Sequence, residues 1–110
     1  MKTILFVFGT RPEAIKMAPL IKAFRSDNSF EVKIAVTAQH REMLDQVMEF
    51  FSISSDYDLN LMRPNQTLFH ITTDVLMQIQ DIYEEAHPDM VFVQGDTTTV
   101  FAGALAAFYK

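Results

Sequence analysis

The sequence predicts an α/β domain, a Rossmann-like parallel sheet of four βα units, and three observations predict it. Short apolar runs recur through the 110 residues, each followed by a longer amphipathic stretch. The first run, Thr3–Phe8, is apolar almost without a break, as in a strand covered on both faces by crossover helices. Two of the runs stop at a glycine that opens a polar loop, Gly9-Thr10-Arg11-Pro12-Glu13 and Gly95-Asp96-Thr97-Thr98-Thr99. Loops of that kind, at the carboxyl edge of an open parallel sheet, are where ligands bind.

Each element has its own signal. After the first strand, Arg11 to about Asp27 reads as a helix with Ala14, Ile15, Ala18, Ile21 and Phe24 on one stripe. Glu31–Thr37, rich in Val and Ile, is the second strand. Arg41–Phe51 is the second helix, with Met43, Leu44, Val47, Met48 and Phe51 at helical spacing. Tyr57–Leu61 is a short third strand. Gln66–Ala86 is a long helix whose inner face carries Leu68, Ile71, Val75, Ile79, Ile82 and Tyr83, and Pro88 lies where that helix cannot continue. Met90–Gln94 is the fourth strand and Thr97–Tyr109 the fourth helix. Right-handed crossovers and the doubly wound order 3-2-1-4 place strand four beside strand one. The chain ends just after a helix, where such a sheet ordinarily adds another strand, so residues 1–110 are expected to form an incomplete domain with strand four as a bare apolar edge.

Composition narrows the function classes. Hydrophobic residues make up 49%, with 10 Phe and 7 Met, which argues for a buried core and against disorder. The net charge of −5 disfavours a nucleic-acid or anionic-membrane binder but leaves room for a local basic pocket. Cysteine is absent, which excludes disulfides, thiolate catalysis and Cys-based zinc sites. No signal peptide is read at the amino terminus, and the longest apolar stretch, Val100–Tyr109, is far short of a membrane span, so a cytoplasmic protein is expected.

The two glycine loops carry the candidate chemistry. Thr10-Arg11-Pro12-Glu13 fits a capping box, in which the Thr10 hydroxyl accepts from the Glu13 amide and the Glu13 carboxylate from the Thr10 amide. That explains Thr10 and Glu13 without a ligand. It does not explain Arg11 or Lys16. Backbone amides left free at this helix start would suit a phosphate, and Arg11 adds a bidentate fork. Lys16 lies five residues on, off the Arg11 face, and spacing alone makes it an ordinary solvated residue. Neither Gly-x-Gly-x-x-Gly nor a P-loop is present. Asp96 is either the N-cap of the last helix or a general acid/base, and adjacency of strands one and four would bring it to the same crevice as Arg11. Gln39-His40-Arg41-Glu42 follows strand two on the same edge, a polar helix entry that needs no ligand. His70 and His87 read as a helix residue and a turn residue, no cluster has metal-ligand spacing, and no metal site is expected.

These motifs together resemble the amino-terminal part of the non-hydrolysing bacterial UDP-N-acetylglucosamine 2-epimerases. The likeness runs from Phe8-Gly9-Thr10-Arg11-Pro12-Glu13-Ala14-Ile15-Lys16-Met17-Ala18-Pro19 through Thr37-Ala38-Gln39-His40-Arg41, Met43-Leu44-Asp45-Gln46 and Tyr57-Asp58-Leu59-Asn60. It closes on Gly95-Asp96-Thr97-Thr98-Thr99 and Leu105-Ala106-Ala107-Phe108-Tyr109. The resemblance implies the first Rossmann-like domain of a GT-B fold, with a second, nucleotide-binding domain outside these residues. It implies interconversion of UDP-GlcNAc and UDP-ManNAc by elimination and re-addition of UDP, without an external cofactor, in a homodimer. Gly9, Thr10, Arg11 and Lys16 would then contact the nucleotide sugar and Asp96 would move a proton. Gln39 and Gln66 match positions that bind a second, activating UDP-GlcNAc in some members, whereas Glu42 and Asn65 replace a Gln and an Arg used there. The family's next catalytic glutamate, in a His-Val-Glu-Ala-Gly-Leu-Arg segment, is not among the 110 residues, so the chain by itself is expected to be inactive. From other classes, the competing readings are a phospho-acceptor regulatory module, with Asp96 as acceptor, and a non-catalytic assembly module pairing through strand four.

Overall fold

Strand and helix alternate from end to end: β1 (Lys2–Phe8), α1 (Arg11–Arg25), β2 (Phe30–Val36), α2 (Arg41–Phe50), β3 (Tyr57–Asp58), α3 (Leu68–Ala86), β4 (Met90–Phe92) and α4 (Thr98–Tyr109). The structure, a computed structural model, describes residues 1–37, 41–59, 67–94 and 98–109, with 41, 42 and 98–100 described by backbone alone. All strand pairs are parallel and the order is β3-β2-β1-β4, as the sequence predicts.

β1 is central, and its alternation divides the core. Ile4, Phe6 and Phe8 point into one layer with Ala14, Met17 and Ile21 of α1 and Leu44 and Met48 of α2. Leu5 and Val7 point into the other, with Val75, Ile79 and Tyr83 of α3 and Ala102 and Ala106 of α4. A strand buried on both faces must be apolar at every position, which is why Thr3–Phe8 shows no polar alternation. Four phenylalanines tie the first layer together. Phe6 stacks on Phe92 of β4 at 5.2 Å between ring centroids, and Phe24 meets Phe6, Phe92 and, edge-on at 4.9 Å, Phe30.

The buried stripe of α1 differs from the expected one. Met17 is inside and Ile15 is 43% exposed. Ala14, Met17, Ala18 and Ile21 follow the i, i+3, i+4, i+7 spacing, whereas Ile15 is turned one residue, about 100°, away from Ala14. In α2 and α3 the outer members Met43 and Leu68 are likewise exposed.

The two short strands are held at their starts by one device. Asp89, just before β4, donates its amide to the Thr3 carbonyl at 2.8 Å and accepts the Thr3 amide on its carboxylate at 2.7 Å. Asp56, just before β3, does the same with Ile34, at 2.8 Å in both directions. Each carboxylate takes the place of a ladder carbonyl and fixes the register of a strand too short to fix its own. β3 spans Tyr57–Asp58, and the Leu59 amide still reaches the Val36 carbonyl at 2.9 Å; Asn60 and Leu61 of the expected strand lie outside the described residues.

The long helix α3 is closed at both ends. At its start the Thr67 hydroxyl accepts from the His70 amide at 3.2 Å, and His70 Nδ1 accepts the Thr67 amide at 3.4 Å, a capping role for this histidine that its position beside Phe69 does not announce. At its end His87 adopts the left-handed conformation (φ 47°), and Pro88 prevents continuation. Near that end the buried Tyr83 hydroxyl donates to the Gly103 carbonyl of α4 at 2.9 Å. Burial pushes this phenol from 10.0 up to about 12. The unfolded chain therefore releases the proton first, and stability falls as pH rises between those two values. Tyr83→Phe is expected to flatten that alkaline decline in urea-midpoint measurements and to cost about 0.5–1.5 kcal/mol at neutral pH.

Candidate functional site

The carboxyl edge of β1 is built by one buried carboxylate. Past Phe8 the chain turns through Gly9 and extended Thr10 (φ −127°, ψ 161°) into α1, whose second residue is Pro12, where no amide is needed. Glu13, only 3% exposed, turns back under the loop. One of its oxygens accepts the Gly9 amide at 2.8 Å and the Thr10 amide at 3.1 Å. The reciprocal half of the capping box is looser, with the Thr10 hydroxyl facing the Glu13 amide without closing a hydrogen bond of ordinary geometry. The Gly9 and Thr10 amides are thus occupied by Glu13 and are not open to an anion, which cationic side chains at this edge could also meet.

Two such side chains are present. Arg11 and Lys16 are both exposed. Among the described residues neither has a carboxylate partner, the ion pairs there being Lys2–Asp89 and Lys33–Glu31. Both cations lie in the amino-terminal half of α1, toward the positive end of the helix dipole, the less favourable end for them. An anion bound at Arg11 would relieve that repulsion. Arg11 also borders a groove of about 420 Å³ between α1 and α2, lined by Ile15, Met43, Gln46 and Phe50.

β1 and β4 are neighbours in the sheet. Phe6 is level with Phe92 across the β1–β4 pair, and Gly9 and Gly95 each follow that pair by three residues. Asp96 itself, with Gln39 and Gln66, lies outside the described residues. Lys16 sits on α1, not in the loop. A receiver-like module would place an acidic metal cluster after β1; the described residues there are Arg11, which is cationic, and Glu13, whose carboxylate binds the backbone. No group of three His, Asp or Glu able to hold a metal occurs among the described residues.

A family model described as UDP-N-acetylglucosamine 2-epimerase matches residues 22–110. This chain belongs to that family. It is 60% identical over 107 residues to the Escherichia coli K12 UDP-N-acetylglucosamine 2-epimerase, covering 97% of this chain and 28% of the relative. The crystal structure of the Neisseria meningitidis UDP-GlcNAc 2-epimerase bound to UDP-GlcNAc superposes with a TM-score of 0.91 at 57% identity, over 97% of this chain and 29% of that one. An S. aureus structure with UDP gives 0.94 at 55% identity, over 99% of this chain and 28% of that one. The chain thus spans under a third of the length of these epimerases, and its parallel α/β sheet is the part of their architecture that it shares.

Proposed function

We propose that this chain supplies one wall of a nucleotide-sugar site in an enzyme that interconverts UDP-GlcNAc and UDP-ManNAc. The observation that carries the reading is a pair of exposed cations, Arg11 where β1 passes into α1 and Lys16 further along α1, neither with a carboxylate partner among the described residues, in a chain so similar to an epimerase solved with UDP-GlcNAc. In this reading Arg11 and Lys16 hold the diphosphate and stabilise its departure, with Gly9 and Thr10 shaping the approach. Asp96 takes the C2 proton as the C1–oxygen bond breaks, giving UDP and a 2-acetamidoglucal. UDP then adds back to C1 while a proton returns to the opposite face of C2. No redox cofactor is required, because the proton and the leaving group both come back to the same sugar.

Four further parts of the reading follow from the family. A second domain, completing a GT-B pair, would grip the uridine side. Gln39 and Gln66 are the residues to test for a second nucleotide-sugar site. The whole protein would work in the cytoplasm, where its nucleotide-sugar substrate is made; no helix among the described residues is long and apolar enough to cross a membrane. It would also be a homodimer, for which the outer side of α3 and α4, with exposed Met77, Phe101 and Phe108, offers apolar surface.

Calorimetry tests the site. The chain is expected to bind UDP and UDP-GlcNAc but to give no measurable heat with uridine, since the described cations address phosphate. Equal binding of uridine, or no binding of UDP, would contradict the reading. A coupled assay is expected to find no turnover of UDP-GlcNAc by the 110 residues alone.

A further inference from the structure

We propose that Glu13 is a positioning residue for Arg11, an inference that rests on the reading of Arg11 as a diphosphate ligand. A helix cap alone would be satisfied by the bond from Glu13 to Thr10. The bond to Gly9 is additional, shorter at 2.8 Å, and lies outside the helix. With both amides on one carboxylate oxygen, the backbone is pinned on either side of the Gly9 Cα, up to the peptide that leads into Thr10, the residue directly before Arg11. The direction in which Arg11 leaves the loop is therefore set by Glu13.

Burial and charge support the same role. A carboxylate 3% exposed is costly unless its hydrogen bonds are made, and here they are made to the loop itself. Its negative charge also sits at the start of α1, where it is favourable to the helix dipole. Pro12 offers no amide, so it cannot replace either donor if the loop rotates. Glu13 touches no substrate in this scheme and acts only through Arg11.

A double-mutant cycle read by UDP calorimetry tests this, with amide hydrogen exchange on the same proteins. Glu13→Ala is expected to expose the Gly9 and Thr10 amides to exchange and to weaken UDP about tenfold, the scale of one misplaced charge-assisted contact. In the Arg11→Ala background the same substitution is expected to change affinity by less than about twofold. Glu13→Gln, which keeps an acceptor oxygen, should recover most of the loss, and Glu13→Asp, too short to reach both amides, should not. If Glu13→Ala does not fold, the Gln and Asp variants carry the comparison. Equal losses with and without Arg11, unchanged affinity, or unchanged exchange at Gly9 and Thr10 would overturn the assignment while leaving Arg11 in the site. If Arg11→Ala itself leaves UDP affinity unchanged, the reading of the site fails and this inference fails with it.

Discussion

Phe6→Ala is expected to destabilise the chain by about 3–5 kcal/mol, the range for emptying a fully buried aromatic position. Phe6 is wholly inside, stacked on Phe92 and tilted against Phe24. Its loss reaches beyond one cavity. β4 is joined to β1 by three register pairs, Ile4 with Met90, Leu5 with Val91 and Phe6 with Phe92. The stacked pair is the aromatic clamp on that short ladder, so the substitution should loosen β4 and the loop that follows it. A domain of this size has only about 5–15 kcal/mol of stability to lose. Phe6→Leu, closer in volume, should cost considerably less. Urea denaturation followed by circular dichroism reads both, and a Phe6→Ala midpoint within experimental error of the unsubstituted chain would contradict the packing described.

Arg11→Ala is expected to weaken UDP binding by about 10–100-fold, corresponding to the roughly 1.5–3 kcal/mol of a hydrogen bond to a charged group. Because Arg11 is exposed and has no ion-pair partner among the described residues, its removal should leave the melting temperature nearly unchanged. That separation of affinity from stability is the signature of a ligand contact. Arg11→Lys keeps the charge and loses the bidentate fork, so it should restore only part of the affinity. A large stability loss in Arg11→Ala would recast the residue as structural.

Architecture was legible in the sequence because a parallel sheet imposes a simple pattern. A strand buried on both faces has to be apolar throughout, and Ile4–Phe8 is. Boundaries were less legible where pairing, not composition, sets them. Tyr57–Leu61 has the composition of a longer strand; among the described residues Tyr57 and Asp58 pair with β2 and Leu59 adds one bond to Val36, while Asn60 and Leu61 lie outside them. Ile15 was placed inside on its apolar character, yet helical phase turns Met17 inward instead. At the site, Arg11 is a cation the capping box leaves unexplained, whereas spacing alone makes Lys16 an ordinary solvated residue and the family resemblance is what singles it out. The role of Glu13 was half visible: the Thr-x-x-Glu spacing announces the bond to Thr10, while the second bond, to Gly9, depends on the carboxylate being drawn under the loop. Asp56 and Asp89 carried a signal that only the sheet explains, an aspartate immediately before each short strand.

The claim on which the functional reading turns is that the loops after β1 and β4 address one ligand. Amide chemical-shift mapping of the isotope-labelled chain during a UDP titration tests it most directly. The account predicts that residues 9–16 and 94–98 shift together, with a common saturation curve, while the amino-terminal ends of the strands around Thr3 and Asp89 stay still. Shifts confined to one of the two loops, or centred on the opposite edge of the sheet, would contradict it.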